Sequence, residues 1–263
     1  MFSFLFGLGT ALFLDGAARR TPRPRIVLLR RLLALGVLGG VHQLLQPGEA
    51  LLPYAIVGVV VLLPATWLPR AVIALGGALA TGLALAFTSG GLLLVPGLFL
   101  LGLAAARYGL PRSIAAPNRA VWGAVLAAAV VASVPLLSIQ VGTIENSGFD
   151  SVSSITGLVM AIGYASALVL LTASPAGPWV CSVLAPLGRL ALTNYLSATL
   201  LVLLLTTTPA FSGPDGYRFV LPLAAAILAL QVVLSRWWLR RFRYGPVEWL
   251  WRSVSWWSPA RMV

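Results

Sequence analysis

One histidine stands in a chain of 263 residues, and it lies inside an apolar run. His42 follows Gly36, Gly39 and Gly40 in GVLGGVHQLLQPGE, and Glu49 closes the same stretch. A titratable side chain within an apolar run of membrane length is costly to keep and is a functional candidate by default. An imidazole beside a carboxylate can act as a general base. The carboxylate orients the ring, and the free ring nitrogen takes a proton from an acceptor hydroxyl or amine. The plainer alternative is a structural histidine at the water interface, bonded to a carbonyl. The three glycines let a neighbouring helix or a ligand approach closely. His42 and Glu49 are the candidate catalytic residues.

A second constellation is PLGRLALTNYL, from Pro186. Arg189 and Thr193 are four residues apart and share a helix face, with Asn194 on an adjoining one. Pro186 and Gly188 are expected to break the chain just before, so a helix N-terminus beside Arg189 would suit an anion such as a phosphate. Equally, Arg189 can anchor the helix at the headgroups while Asn194 bonds a neighbouring helix. Arg30 and Arg31 lie one turn inside an apolar run. With Arg19, Arg20, Arg23, Arg25 and the arginines of the C-terminal tail they can form a basic mouth that draws in anions. Retention of arginine on the cytoplasmic side explains most of them as well. Local ion pairs are expected between Asp15 and Arg19 and between Glu248 and Arg252, each four residues apart. The single cysteine, Cys181, excludes an internal disulfide and a cysteine-rich metal site, and reads as a small space-filler. The sequence has no GxSxG elbow, Walker loop, HExxH or CxxC.

The elements that must position these residues are membrane helices. The chain is 59% hydrophobic and 9% charged, with a mean hydropathy of +0.96. A soluble domain carries about 25% charged residues, so the expected class is all-α, a polytopic transmembrane bundle. Nine apolar runs are found at 1–15, 26–45, 51–69, 71–88, 91–106, 120–141, 152–172, 188–207 and 219–239. All 18 basic residues are arginine and the net charge is +12. They are scattered between apolar runs rather than gathered on one polar face, which excludes nucleic acid as a partner. Arginine marks every second connection, while the others hold Glu49, Ser89 with Gly90, Glu145 with Asp150, and Asp215 with Arg218. The positive-inside rule then puts the arginine-bearing connections and the C-terminus in the cytoplasm and Met1 outside. Two units follow: a bundle over 1–239 and a cytoplasmic tail rich in Arg and Trp over 240–263, lying at the membrane surface. Within the tail, Tyr244-Gly245-Pro246 is expected to fold the chain back under the bundle.

That tail carries a resemblance. SRWWLRRFRYGPVEWLWRS, from Ser235, resembles the C-terminal signature of the YeiB-like bacterial membrane proteins, catalogued as domain of unknown function 418 (DUF418). FSFLFGLGTALFLD near the start, RRLLALGVLGGVHQLL from Arg30 and PLGRLALTNYL fit the same family in order. The matching family stretch also has a histidine at the position of His42, with an acidic residue close behind. The resemblance implies a multi-pass protein of the bacterial plasma (inner) membrane. It also implies at least one further family helix ahead of Met1.

YeiB-like proteins are in turn similar to a wider group of multi-span acyltransferases that includes heparan-glucosaminide N-acetyltransferase and glucan succinyltransferases. By that similarity the expected activity is transfer of an acyl group from cytoplasmic acyl-CoA to an acceptor at the outer face. His42 and Glu49 would be catalytic, and Arg30, Arg31, Arg189 and Asn194 would bind the co-substrate. No tightly bound cofactor is expected. The bilayer, acyl-CoA, an acceptor and a second copy of the chain are the expected partners. The alternatives are a transporter or lipid-handling protein without covalent chemistry, and an inactive family member.

Overall fold

The computed structural model describes residues 1–87, 91–142, 150–206, 216–259 and 261–262. The expected connections at Ser89 with Gly90, at Glu145 and at Asp215 lie outside them. Every regular element among the described residues is helical. In chain order these are α1 (Phe2–Ala18), α2 (Pro24–Gln43), α3 (Leu51–Ala65, with a π-helical stretch at Gly58–Leu62) and α4 (Arg70–Phe87). Then come α5 (Gly91–Arg107), the short α6 (Leu110–Ala115), α7 (Arg119–Gly142) and α8 (Ser151–Thr172). The chain ends with α9 (Gly177–Arg189), α10 (Ala191–Thr206), α11 (Val220–Leu239) and α12 (Pro246–Trp256).

All nine apolar runs are therefore helical, but they differ in reach. Four helices, α4, α7, α8 and α11, are long and apolar enough to cross a bilayer, and α9 with α10 makes a fifth if that bent pair counts as one span. Helices α1, α3 and α5 are apolar but shorter. Only 6% of the apolar window of α7 is buried. So much unburied apolar surface is untenable in water and ordinary in lipid. The protein is an all-α, polytopic membrane helix bundle.

Close packing is set by glycine. A Cβ on Gly7 would strike the backbone of Phe99, and one on Gly102 would strike that of Phe4, so α1 and α5 meet backbone to backbone. The core beside that contact contains Tyr54, Leu62, Ile73, Phe99 and Leu103. Phe6 stacks on Phe99 at 4.8 Å between ring centroids, and Tyr54 meets Phe99 edge-on at 5.2 Å.

Arginine-bearing connections gather at one end of the bundle, where they satisfy helix-end carbonyls. Arg25 donates to Thr66 Oγ1 (3.1 Å) and Thr66 O (3.3 Å), while Arg107 donates to Leu68 O (2.6 Å) and Thr66 O (2.7 Å). Arg119 donates to Ala173 O (2.6 Å) at the end of α8. Unpaired carbonyls at a helix C-terminus attract cations, which is why these contacts recur. Asp15 does not pair with Arg19 as expected. It lines a small crevice with Arg107 instead, because α1 packs on α5 and carries its last turn to the Arg107 side chain. Cys181, expected as a space-filler, is exposed.

Two departures shape the site. The break expected at Pro186 and Gly188 falls at Leu190, between α9 and α10, which meet at a 75° bend. Pro186 is accommodated inside α9. Second, the tail does fold back at Gly245, and α12 packs on α2. Val247 and Trp251 pack against a cluster of Leu35, Leu51, Ala55 and Leu192. Leu35 is eleven residues along α2 from Pro24, which at a helical rise is about 16 Å. The tail helix thus reaches well up the bundle.

Candidate functional site

One part of the site is built by the α2–α3 turn. A Cβ on Gly39 would meet the backbone of Leu51 and Leu52, so glycine lets the last turn of α2 lie directly on the first turn of α3. Gly48, at a φ of +81°, supplies the left-handed residue that the connecting turn needs. Glu49 then caps α3 with both carboxylate oxygens. Leu51 N–H donates to Oε2 and Leu52 N–H to Oε1, each at 2.7 Å. These are orphan donors of a helix N-terminus, where a negative charge is favoured.

His42 lies over this cap. It is 3% exposed and the Glu49 side chain is 0% exposed, so both side chains are buried. His42 Nδ1 is 3.4 Å from Glu49 Oε2, long for a hydrogen bond but within reach of one. With the proton on Nδ1 and directed at the carboxylate, Nε2 carries the lone pair. That Nε2 is buried and has no hydrogen-bond partner. Buried polar atoms are nearly always satisfied, so an orphan of this kind calls for an explanation. Here it is the nitrogen that a general base would use.

Helix α10 closes the other side. The Tyr195 ring lies 5.2 Å from the His42 ring, and Thr199 Oγ1 donates to Gln46 Oε1 at 2.8 Å. Tyr195 and Gln46 had no role in the sequence reading, although a signal was present. His42 and Gln46 are four apart, and so are Tyr195 and Thr199, which gives each segment one polar face. Beside the pair is an open cavity of about 690 Å³, lined by Gln43, Glu49, Tyr54 and Ser154 among others. The Tyr54 hydroxyl shares a hydrogen bond with Ser3 Oγ at 2.7 Å. His42 is not on that wall, but its chain neighbour Gln43 and its partner Glu49 are.

The four candidate co-substrate residues do not form one cluster. Arg31 is held between the rings of Trp251 (3.6 Å from guanidinium carbon to ring centroid) and Phe13 (4.8 Å). Arg30 lies over Trp257 at 5.2 Å. Arg189 instead donates through Nη2 to Arg243 O at 2.9 Å, tying the end of α9 to the tail. Asn194 joins an interhelical network. Its Nδ2 donates to Ser235 Oγ at 3.1 Å, and its carbonyl accepts from Gln231 Nε2 at 2.8 Å. The helix N-terminus expected to receive an anion is occupied by a carboxylate of this chain. Thr193 N–H donates to Glu248 Oε1 at 2.9 Å, and Thr193 Oγ1 contacts Glu248 Oε2 at 2.5 Å. Glu248 therefore does not make the expected ion pair with Arg252, which stacks on Tyr244 at 5.0 Å. Gly245 permits this arrangement, since a Cβ there would collide with the Glu248 carboxylate.

Residues 105–258 match the family described as protein of unknown function (DUF418). An uncharacterized 39.9 kDa protein in the amylase 3′ region of Bacillus acidopullulyticus is 32% identical, over 97% of this chain and 78% of that protein. The chain belongs to the DUF418 family. Two shorter matches agree with this. Uncharacterized protein YxaH of Bacillus subtilis is 42% identical over 27% of this chain and 19% of its own length. Uncharacterized protein YeiB of Escherichia coli is 37% identical over 36% and 25%. No solved structure matches. Arg189, Asn194 and Glu248 fall inside the segment that matches DUF418, while His42, Glu49, Arg30 and Arg31 lie ahead of it. The protein is thus a bacterial multi-pass membrane protein of the DUF418 family.

Proposed function

We propose that this DUF418 protein is an acyltransferase of the bacterial plasma membrane that moves an acyl group from cytoplasmic acyl-CoA to an acceptor at the outer face. The observation that carries the reading is the buried His42–Glu49 pair, with Nδ1 turned to the carboxylate and Nε2 left without a partner. His42 Nε2 takes the proton from the acceptor hydroxyl or amine as that atom attacks the thioester carbonyl. The C–S bond breaks, and the leaving thiolate is protonated to free CoA by the imidazolium. Glu49 holds the ring and balances the imidazolium charge, and α3 holds Glu49. The cavity beside Glu49 and Tyr54 is the acceptor site.

This reading takes all nine apolar helices as membrane passes, with α9 and α10 as one broken pass. Met1 lies outside, and the arginine end of the bundle, with the tail over 240–263, lies in the cytoplasm. The charge distribution supports that assignment. Of the four co-substrate residues, Arg30 and Arg31 are the ones that contact donor anions. Arg189 and Asn194 support them by fixing the tail against the end of α9 and α11 against α10.

The test is transfer of radiolabel from acetyl-CoA and from palmitoyl-CoA by the purified protein in proteoliposomes supplied with bacterial envelope extract. The reading expects label in a product that is no longer a thioester, with release of free CoA. Accumulation of intact solute without label transfer would instead favour a transporter.

A further inference from the structure

The second cavity, about 380 Å³, lies at the level of Arg31. Its walls are almost entirely apolar. Helix α1 contributes Phe2, Leu5, Phe6, Gly9 and Phe13, and α2 contributes Leu28 and Leu32. Trp251 of α12 closes one side. Phe2, Leu5 and Gly9 are exposed, so the cavity opens sideways along the exposed side of α1.

Arg31 is the one charged group on this wall. Among the described residues no carboxylate pairs with it, and its guanidinium makes no hydrogen bond. Trp251 Nε1 donates to the Arg31 carbonyl at 2.7 Å, which fixes the backbone and leaves the cationic head unused. The Trp251 and Phe13 faces hold the guanidinium plane by cation–π contact, and neither supplies an acceptor oxygen. A guanidinium away from bulk water with its donors unspent is an anion receptor, and planar two-oxygen groups fit it best.

We infer that this groove binds an anionic amphiphile drawn sideways from the bilayer, its carboxylate or phosphate on Arg31 and one acyl chain along Phe2, Leu5, Phe6 and Gly9 of α1. The apolar length of the groove favours an alkyl chain, which a small hydrophilic anion lacks. The single cation at its deep end favours a charged head, which a neutral lipid lacks. The groove shares Arg31 with the proposed donor site, so amphiphile and acyl-CoA would compete for that guanidinium, but amphiphile binding needs neither His42 nor a CoA thioester.

The test uses the full chain in zwitterionic phosphatidylcholine nanodiscs. The probe is 9,10-dibromostearate, with 9,10-dibromostearyl alcohol as the neutral control, and quenching of tryptophan emission is the readout. Bromine in the groove lies beside Trp251, and Trp251→Phe identifies its share of the signal. The expected result is saturable quenching by the carboxylate, at least tenfold tighter than by the alcohol. Arg31→Gln should weaken it at least tenfold. Arg31→Gln also loosens the stack with Trp251, so Gly9→Leu serves as the second variant. A Cβ at Gly9 meets nothing within 4 Å, so a leucine there extends into the groove and leaves Arg31 and Trp251 themselves unsubstituted. Gly9→Leu should abolish the quenching while thermal unfolding is unchanged. Equal affinity for carboxylate and alcohol, undiminished binding in Gly9→Leu, or no quenching of the wild type would each overturn the inference. Acyl transfer without amphiphile binding would overturn it too, while leaving the proposed reaction intact.

Discussion

Glu49 has two tasks that separate on substitution. It caps α3 through Leu51 and Leu52, and it orients His42. Glu49→Ala removes both and should destabilise the protein by about 1–2 kcal/mol through the lost cap. Glu49→Gln keeps an oxygen for one N–H donor. It should retain most of that stability and lose the charge that balances an imidazolium. Thermal unfolding beside a transfer assay distinguishes them, and equal activity in Glu49→Gln and the wild type would remove the orienting role. At this scale the sequence was informative about which residues are unusual, because one histidine and few acids leave little choice. It was less informative about partners. Spacing pointed Asp15 to Arg19 and Glu248 to Arg252, whereas the structure bonds Glu248 to Thr193 and leaves Asp15 lining a crevice beside Arg107, without an ion pair among the described residues. Intervals of four describe one helix and are blind to a neighbouring helix that, as Thr193 does for Glu248, offers a better donor.

Among the elements, α12 departs most from a surface tail. Its resemblance to a membrane-surface segment rests on alternating Arg and Trp, and that pattern also suits a helix docked against other helices. Trp251 holds Arg31, Glu248 caps α10, and Val247 packs near Leu35. Trp251→Ala, which deletes a large packed ring, should release α12. Trypsin should then cut the Arg240–Arg243 stretch several-fold faster in the variant than in the wild type, with α1–α5 remaining intact. An unchanged cleavage rate would mean that the tail holds its place without Trp251. The turn at Gly245 and Pro246 was legible because Gly-Pro pairs punctuate chains. The break expected at Pro186 and Gly188 falls at Leu190, because α9 keeps Pro186 within its length.

At the scale of the whole molecule, hydropathy gave the class, an all-α membrane bundle, and marked runs that fold as helices, of which four or five are long and apolar enough to cross a bilayer. The depth of each helix was not legible. α10 has 16 residues, about 24 Å, against a hydrocarbon core of about 30 Å. Whether such a piece crosses depends on its partner, which no local pattern encodes. The proposed topology predicts that Pro47→Cys, in a background with Cys181 replaced by serine, reacts with a membrane-impermeant maleimide in intact cells. Arg20→Cys should react only after lysis, and the opposite pattern would invert the protein. The most direct test of the central claim compares wild type with His42→Ala in proteoliposomes, measuring acyl-CoA binding and label transfer on the same preparation. The account predicts unchanged binding and transfer reduced at least about 100-fold, the scale of a lost general base. Undiminished transfer by His42→Ala would contradict it.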